Sequence, residues 1–373
     1  MADLQKELQR TLDELVESGA ERGVQVAVYR DGTLVADAVA GLADPATGRE
    51  VTPSTPFYNY SIGKGVTSTV LHVLVEQGLL DYDTRVAEVW PEFAAHGKEA
   101  VTVRHVLTHS AGVPAVPLDT TVENLCDWEH MCGVIADAEP WWEPGTKMGY
   151  HAYTFGYLVG EVIRRVTGRR ISEVLRDEVA GPLGVADELY FGMPLPEQAR
   201  LARLEDAPSG FDMSQLPPDS PMLKAGPVST FPTAELGNRA DILAADIPAG
   251  GKISARALAR MYAALLGEVD GVRLVSPERL RQVTALALSA DDEVFGNRAT
   301  WGLGYSLGAL DAGPEPRADG TTVFGFGGAG GSFGCGDTGT GTAWAITKNR
   351  LTPDFSSATL VGELVTRHTK STR

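Results

Sequence analysis

Basic residues are scarce in this chain of 373 residues. Only 32 lysines and arginines stand against 49 aspartates and glutamates, which gives a formal net charge of −17. Nucleic acids and anionic membrane surfaces are bound through basic faces, so this balance disfavours both as partners. No stretch approaches the roughly 18 consecutive apolar residues that a membrane-spanning helix needs. We therefore expect neither a nucleic-acid-binding protein nor a membrane protein.

Cysteine is rarer still. Cys126, Cys132 and Cys335 are odd in number and do not have the spacing of metal ligands. This disfavours a disulfide framework and favours a reducing compartment. The first residues mix acids and bases, and they lack the basic start and the run of about 7–15 apolar residues that mark a secretory signal. Together these absences predict a cytoplasmic protein.

The composition is otherwise that of an ordinary globular protein, with 43% hydrophobic and 22% charged residues. A chain of this length can bury a large core without metals or disulfides. Residues 4–16 have helical spacing, with Gly19 in the place of a C-cap. The next pattern is a pair of alternating runs around Asp31-Gly32, which predicts a β-hairpin. Residues 61–77 form a second helical pattern.

Helical patterns and loops rich in proline and glycine alternate from about residue 84 to residue 290, and strand patterns return after about residue 301. Because strands and helices are segregated, the order favours an α+β fold over βαβ winding. We expect the two chain ends to share one antiparallel sheet flanked by helices. The predicted domains are an α/β sandwich of residues 1–83 and 292–373, and a mainly helical inserted domain of residues 84–291.

Three weaker patterns point to no function. Residues 325–330 match G-x-G-x-x-G, but the sequence that follows is not helical, which disfavours a dinucleotide site. His105 and His109 are four residues apart without a third ligand nearby, so we expect local hydrogen bonds to satisfy both rings. Cys126 and Cys132 are typical of buried small hydrophobic residues. We predict no metal and no organic cofactor.

The informative motif is Ser61-Ile62-Gly63-Lys64. Among the eight lysines of the chain, Lys64 alone has a serine three residues before it. At the start of the predicted helix the two side chains lie one turn apart on one face. A neutral amine there can take the hydroxyl proton and activate the serine as a nucleophile. The helix N-terminus disfavours the ammonium form and favours a developing anion. The alternative is a helix-capping serine beside a solvated lysine.

Around this motif most of the chain resembles the serine β-lactamase and penicillin-binding-protein superfamily. The segment similar to the nucleophile helix is TPFYNYSIGKGVTSTVLHVLVEQGLLDYDTRV. The other similar segments, in the family's order, are VTVRHVLTHSAGVP, WWEPGTKMGYHAYTFGYLVGEVIRRVTG for the second motif and FGFGGAGGSFGCGD for the third. The nearest subgroup is the class C-like family VIII carboxylesterases with related acyltransferases. The resemblance implies a β-lactamase-like fold with its active site between the sheet domain and the helical domain.

The resemblance also implies roles for single residues. Tyr150 takes the place of the second-motif tyrosine, which relays the proton of the nucleophile. The alternative for Tyr150 is an aromatic stripe shared with Tyr153 and Tyr157. The backbone N–H groups of Ser61 and Ala329 would form the oxyanion hole, and paired donors of this kind stabilise a transition state by about 3–4 kcal/mol each.

Two motifs depart from the common family pattern. The second motif often reads Tyr-x-Asn and the third often begins with lysine, histidine or tryptophan. The corresponding residues here are Tyr150-His151-Ala152 and Phe326-Gly327-Gly328. Of these we expect His151 and the three third-motif residues to line the substrate site. Phenylalanine carries no charge and donates no hydrogen bond, so Phe326 cannot hold the carboxylate of a β-lactam. Both departures disfavour a β-lactamase and leave ester chemistry open.

The sequence therefore predicts a serine hydrolase that acts on small-molecule acyl esters or amides through an acyl-Ser61 intermediate. The first alternative is an acyltransferase of the same fold that passes the acyl group to an alcohol or an amine. A second alternative is a catalytically silent sensor resembling a penicillin-binding protein. The presence of Ser61, Lys64 and Tyr150 together disfavours the sensor.

Overall fold

The computed structural model describes residues 2–208, 216–308 and 322–370. In these residues a large antiparallel sheet with helices on both faces adjoins a mainly helical region. The strands are β1 (Gly23–Arg30), β2 (Thr33–Asp44), β3 (Arg49–Glu50), β4 (Phe57–Tyr58), β5 (Leu189–Tyr190), β6 (Glu205–Asp206), β7 (Lys252–Ile253), β8 (Leu288–Asp291), β9 (Arg298–Trp301), β10 (Ser306–Leu307), β11 (Val323–Gly327), β12 (Phe333–Asp337), β13 (Thr342–Lys348) and β14 (Arg350–Leu351).

The main sheet has the strand order β3-β2-β1-β13-β12-β11-β10-β9-β8. Strand β1 pairs antiparallel with β13, from Val24 opposite Lys348 to Arg30 opposite Thr342. This pairing joins the two ends of the chain in one sheet and confirms the prediction. Strand β8 lies at the edge of the sheet, where β9 is its neighbour.

The hairpin of β1 and β2 confirms the prediction made from Asp31-Gly32. Arg30 pairs with Thr33, so the turn has two residues. Asp31 and Gly32 have φ angles of +49° and +77°. Two successive positive φ angles twist a tight turn in the direction of the strands, and Asp-Gly adopts them readily.

The helices follow the periodic stretches of the sequence. They are α1 (Ala2–Glu17), α2 (Ile62–Glu76), α3 (Val86–Val89), α4 (Val103–Leu107), α5 (Val122–Cys126), α6 (Trp128–Ala136), α7 (Thr154–Thr167), α8 (Ile171–Leu175), α9 (Pro221–Lys224), α10 (Ala234–Gly237), α11 (Ala240–Ala244), α12 (Ala255–Leu266), α13 (Pro277–Thr284) and α14 (Ser356–Lys370). Among the described residues no helix is long and apolar enough to cross a membrane.

Alternation along β1 assigns the helices to the two faces of the sheet. Val26 faces the cluster built by α1 and α14, which includes Leu8 and Val361. Ala27 faces the larger core, where α12 contacts β1, β12 and β13. Because successive strand residues point to opposite faces, one strand contributes to both cores.

The predicted domain limits differ from this arrangement at one boundary. Helix α12 and strand β8 lie within residues 84–291, yet α12 packs on the main sheet and β8 is part of it. The helical period over α12 is as expected from the sequence. Periodicity shows that a helix has an apolar face, but it does not show which layer that face covers.

Helix α2 lies between the sheet and the helical region. It contacts β11 on one side and α7 and α8 on the other, and every residue from Ile62 to Val75 is buried. Buried hydroxyl groups on the helix, such as those of Ser68 and Thr69, donate hydrogen bonds to backbone carbonyl oxygens. The N-terminal end of α2, where Ser61 stands, is thereby fixed against both regions.

Candidate active site

Ser61 lies at the N-terminus of α2, and its hydroxyl is not used to cap the helix. The residue has φ −60° and ψ −9°, and its side chain makes no capping hydrogen bond. Lys64 Nζ is instead 3.2 Å from Ser61 Oγ. The capping alternative therefore does not describe this serine. The preceding residue, Tyr60, has a φ of +45°, a strained value for a non-glycine residue next to a functional group.

Lys64 is buried, with 1% of its surface exposed. Burial lowers the pKa of its ammonium group from 10.5 to about 7, because a charged amine loses its hydration in the protein interior. Its other polar contact is the carbonyl oxygen of Ala249, at 3.4 Å from Nζ. A large fraction of Lys64 is therefore the neutral amine near pH 7, which can accept the proton of Ser61.

Tyr150 lies in the irregular segment before α7, outside the helix that contains Tyr157. The aromatic-stripe alternative is thus not what the structure shows. Lys64 Nζ is 4.8 Å from the centre of the Tyr150 ring. Burial raises the pKa of Tyr150, a hydrogen bond with the side chain of Ser61 opposes that rise, and the charge of Asp292 adds to it. Tyr150 is therefore a phenol at neutral pH, not a phenolate.

Four rings surround Tyr150. The centre of its ring is 4.8 Å from that of His109 and 5.2 Å from that of Phe295. The rings of Trp301 and Phe326 are each at 6.4 Å. Trp301 and Phe326 are also packed on each other, with centroids 5.5 Å apart. Aromatic packing on several sides limits the orientations open to the Tyr150 ring.

The third motif lies at the end of β11, against the turn that carries Ser61. A Cβ atom on Gly328 would be 2.1 Å from the carbonyl oxygen of Asn59, so only glycine allows this approach. Gly327 ends the strand and Ala329 is exposed in the following turn. Within the described residues no protein group accepts a hydrogen bond from the backbone N–H of Ser61 or Ala329. Both amides are therefore available to an anion.

His151 is fully buried, and the backbone engages both nitrogens of its ring. Its Nδ1 is 2.8 Å from the carbonyl oxygen of Gly149, and its Nε2 accepts the N–H of Val113 at 2.9 Å. With both nitrogens engaged by the backbone, the ring has none to offer a substrate. The expectation that His151 binds substrate therefore has no support in its position.

His105 and His109, the histidines four residues apart in the sequence, differ from each other. His105 accepts the N–H of Thr102 at 3.3 Å, in the capping box of α4, as expected. His109 is fully buried, and neither of its ring nitrogens has a partner in the described part of the chain. The expectation of a local hydrogen bond is wrong for His109, whose ring packs on Phe155 and Trp301 instead.

A metal centre is not apparent among the residues that the structure describes. Across the described ranges, no group of three or more histidine, cysteine, aspartate or glutamate side chains could hold an ion. The glycine-rich residues 325–330 are the end of β11 and the turn toward β12. They begin no helix, and a dinucleotide fingerprint requires one.

The sequence did not point to Asp292, Phe295 and Trp301, which all lie at Tyr150. Asp292 is 142 residues further along the chain and accepts the N–H of Tyr150 at 3.2 Å. No motif marks it, because the contact arises when β8 and β9 fold back onto the segment before α7. Only the aromatic character of residues 295 and 301 hinted at an aromatic cluster.

Comparison with known proteins agrees with this geometry. The family model described as Beta-lactamase matches residues 8–365. The chain belongs to this family. It is 35% identical to the esterase/beta-lactamase LipL of Mycobacterium tuberculosis over 352 residues, which are 88% of this chain and 77% of LipL.

Two solved structures have the same architecture as this chain. One is a family VIII carboxylesterase, with a TM-score of 0.87 and 31% identity over 98% of this chain and 97% of the other. The second is a penicillin-binding protein homologue from Caulobacter crescentus, with a TM-score of 0.86, 31% identity and the same coverage. The β-lactamase-like α+β fold expected from the resemblance is confirmed.

Proposed function

We propose that this protein, a hydrolase of the beta-lactamase family, cleaves acyl esters of small molecules through a covalent intermediate on Ser61. One observation carries the proposal: Lys64 Nζ lies 3.2 Å from Ser61 Oγ, with a pKa lowered by burial to about 7. A neutral amine within hydrogen-bond distance of a hydroxyl is the arrangement that activates a serine. The likeness to LipL and to a carboxylesterase supports ester chemistry.

In the first half of the reaction Ser61 Oγ attacks the acyl carbonyl carbon, and its proton passes to Lys64. The negative charge moves to the carbonyl oxygen, where the free N–H groups of Ser61 and Ala329 can stabilise it. The carbon–oxygen bond of the ester then breaks. The leaving alcohol takes the proton through the Tyr150 hydroxyl, which interacts with Ser61, and the acyl group remains on Ser61.

In the second half a water molecule attacks the acyl-Ser61 carbonyl and gives its proton to the same pair. Ser61 leaves as a hydroxyl, and the carboxylic acid product is released. An alcohol or an amine in place of water would complete acyl transfer. The residues named here serve both outcomes, so the nature of the acceptor is a matter for product analysis.

The substrates we propose are neutral at the acyl group. Phe326 is buried beside Trp301 and Tyr150, so this wall of the site is apolar and offers no partner to a carboxylate. The net charge of −17 adds a field that repels anions over roughly 8–10 Å. Short neutral esters should therefore react faster than carboxylate-bearing penicillins.

A fluorophosphonate probe followed by mass spectrometry of the digested protein tests the proposal. We expect the adduct on the peptide that contains Ser61, with loss of p-nitrophenyl acetate turnover as labelling proceeds. An adduct on any other residue, or full turnover after Ser61 is labelled, would contradict the mechanism. Adding methanol or a primary amine to the untreated enzyme then shows whether acyl transfer competes with hydrolysis.

A further inference from the structure

The segment that carries Tyr150 is held by the loop of the β8–β9 hairpin. This loop is formed by residues 292–297, and it docks on the segment through a bridge between Met148 and Asp292. The N–H of Glu293 donates to the carbonyl oxygen of Met148 at 2.9 Å. The docking connects two parts of the chain that lie about 140 residues apart.

Asp292 is the centre of this contact. Its side chain is 4% exposed, and a single oxygen, Oδ1, accepts three backbone N–H groups. These come from Val294 at 2.8 Å, Phe295 at 3.0 Å and Tyr150 at 3.2 Å. Two of the three donors shape the loop itself, and the third belongs to the proposed catalytic tyrosine. One carboxylate oxygen thus fixes the loop and Tyr150 to each other.

The same hairpin also contacts the ring of Tyr150. Phe295 follows Asp292 in the loop, and its ring centre is 5.2 Å from that of Tyr150. Trp301 ends β9, and its ring is stacked 6.4 Å from that of Tyr150. The backbone and the ring of Tyr150 are therefore both held by residues of one hairpin at the edge of the sheet.

We propose that Asp292 is a positioning residue, which places the Tyr150 hydroxyl at Ser61 by fixing the backbone of Tyr150 through its N–H. This inference rests on the proposed function, in which Tyr150 moves the proton of Ser61. Asp292 touches no reacting atom and acts through Tyr150 alone. Misplacing a reacting group by about 1 Å can lower a rate roughly a hundredfold.

The test is a double-mutant cycle measured as kcat for p-nitrophenyl acetate. We expect Asp292→Ala to lower kcat roughly 10–100-fold with little change in KM, since the substrate does not contact Asp292. In a Tyr150→Phe background the same substitution should have almost no effect on kcat, because the hydroxyl it positions is gone. Asp292→Asn keeps an acceptor oxygen and should restore most of the rate.

Asp291→Ala is the matched control. Asp291 is the neighbouring aspartate in the same hairpin, its side chain is 80% exposed, and its partner is Arg298 at 3.4 Å. We expect kcat within about twofold of wild type for this variant, because exposed ion pairs contribute little. Phe295→Ala serves as a second variant if Asp292→Ala does not fold, and its loss of kcat should also vanish with Tyr150→Phe.

Two results would overturn the inference. One is a folded Asp292→Ala with wild-type kcat. The other is the same loss of kcat with and without the Tyr150 hydroxyl, which would mean that Asp292 only supports the fold. A Tyr150→Phe variant with full activity would instead contradict the proposed proton transfer, so the two failures are distinguishable.

Discussion

Lys64 and Lys252 are two buried lysines whose pKa is lowered by burial, although the charge of Asp246 opposes the shift at Lys252. Burial lowers the pKa of each to about 7. Each Nζ also lies over a tyrosine ring, at 4.8 Å from Tyr150 for Lys64 and 4.9 Å from Tyr58 for Lys252. Lys252, however, donates to the backbone carbonyl oxygens of Phe191 and Ile242, whereas Lys64 meets the hydroxyl of a serine. A lowered pKa alone does not make a lysine a catalytic base. The amine must also lie next to a group whose proton it can accept.

The strongest test of this difference removes the hydroxyl. Ser61→Ala should fold normally and should reduce turnover of p-nitrophenyl acetate to the uncatalysed background, because no nucleophile remains. Steady-state kinetics and circular dichroism on the purified variant are sufficient. Turnover close to that of the wild type would show that Lys64 is no more a catalytic group than Lys252.

Replacing each lysine in turn compares the two sites directly. Lys64→Met should lower kcat by about a thousandfold, within the range expected for loss of a general base. Lys252→Met should keep kcat within a few fold of the wild type. It should lower the melting temperature, because the carbonyl oxygens of Phe191 and Ile242 lose their donor. Equal losses of kcat in the two variants would remove the distinction drawn here.

Tyr150 and Tyr58, the tyrosines next to Lys64 and Lys252, form a second matched pair. Tyr150→Phe should lower kcat roughly a hundredfold, since its hydroxyl takes part in the proton transfer. Tyr58→Phe, at the ring over which Lys252 lies, should leave kcat unchanged. Combining Lys64→Met with Tyr150→Phe should cost much less than the product of the single losses, because residues that act as one unit are not additive. If the losses of kcat in the two single variants simply multiply, Lys64 and Tyr150 act independently, and the proton transfer takes place elsewhere.

The dependence on pH is the most gradual of the expected effects. Since Lys64 must be neutral to act, kcat/KM for an ester should fall about tenfold per pH unit below pH 7 and level off above it. The direction in which stability changes with pH follows from the lowered pKa of Lys64. Between about 7 and 10.5 the folded protein binds fewer protons at Lys64 than the unfolded chain, so stability gained from this group rises with pH across that window.

Lys252 should contribute to the pH dependence of stability but not to that of kcat/KM. Its pKa is lowered over the same range, so Lys252→Met should flatten the stability curve above pH 7 and leave the pH profile of kcat/KM in place. Lys64→Met should remove that profile. Chemical denaturation at pH 7 and pH 9 and ester kinetics from pH 5 to pH 9 separate the two. A pH-independent wild-type kcat/KM would contradict the role given to Lys64.

The part of this picture that sequence could supply is local. Ser61 and Lys64 are three residues apart on a helix, and Asp31-Gly32 is a turn of two residues, so spacing alone predicts both geometries. Likewise, the place of Tyr150 between the Pro-Gly turn and α7 was readable from its neighbours. Short-range chemistry of this kind depends on a few consecutive backbone angles.

What sequence could not supply depends on which elements meet. Asp292 reaches Tyr150 because a hairpin at the sheet edge folds over the segment before α7, and no pattern near either residue records that. Neither the ring of His109, which has no partner in the described part of the chain, nor the backbone-bound ring of His151 could be predicted, since segments distant in sequence decide their contacts. The layer covered by α12 was missed for the same reason: tertiary packing decides it.

The close contact of Gly328 with Asn59 has a consequence for anyone who wishes to redesign this enzyme. A Cβ atom at residue 328 would lie 2.1 Å from a main-chain oxygen, which cannot move without shifting the turn that leads to Ser61. Libraries that randomise the third motif should therefore leave residue 328 as glycine, since a Cβ atom there would displace the turn that carries Ser61, the proposed nucleophile. Phe326, two residues earlier, contacts its neighbours through its side chain, and diversity introduced there can change selectivity while the nucleophile stays in place.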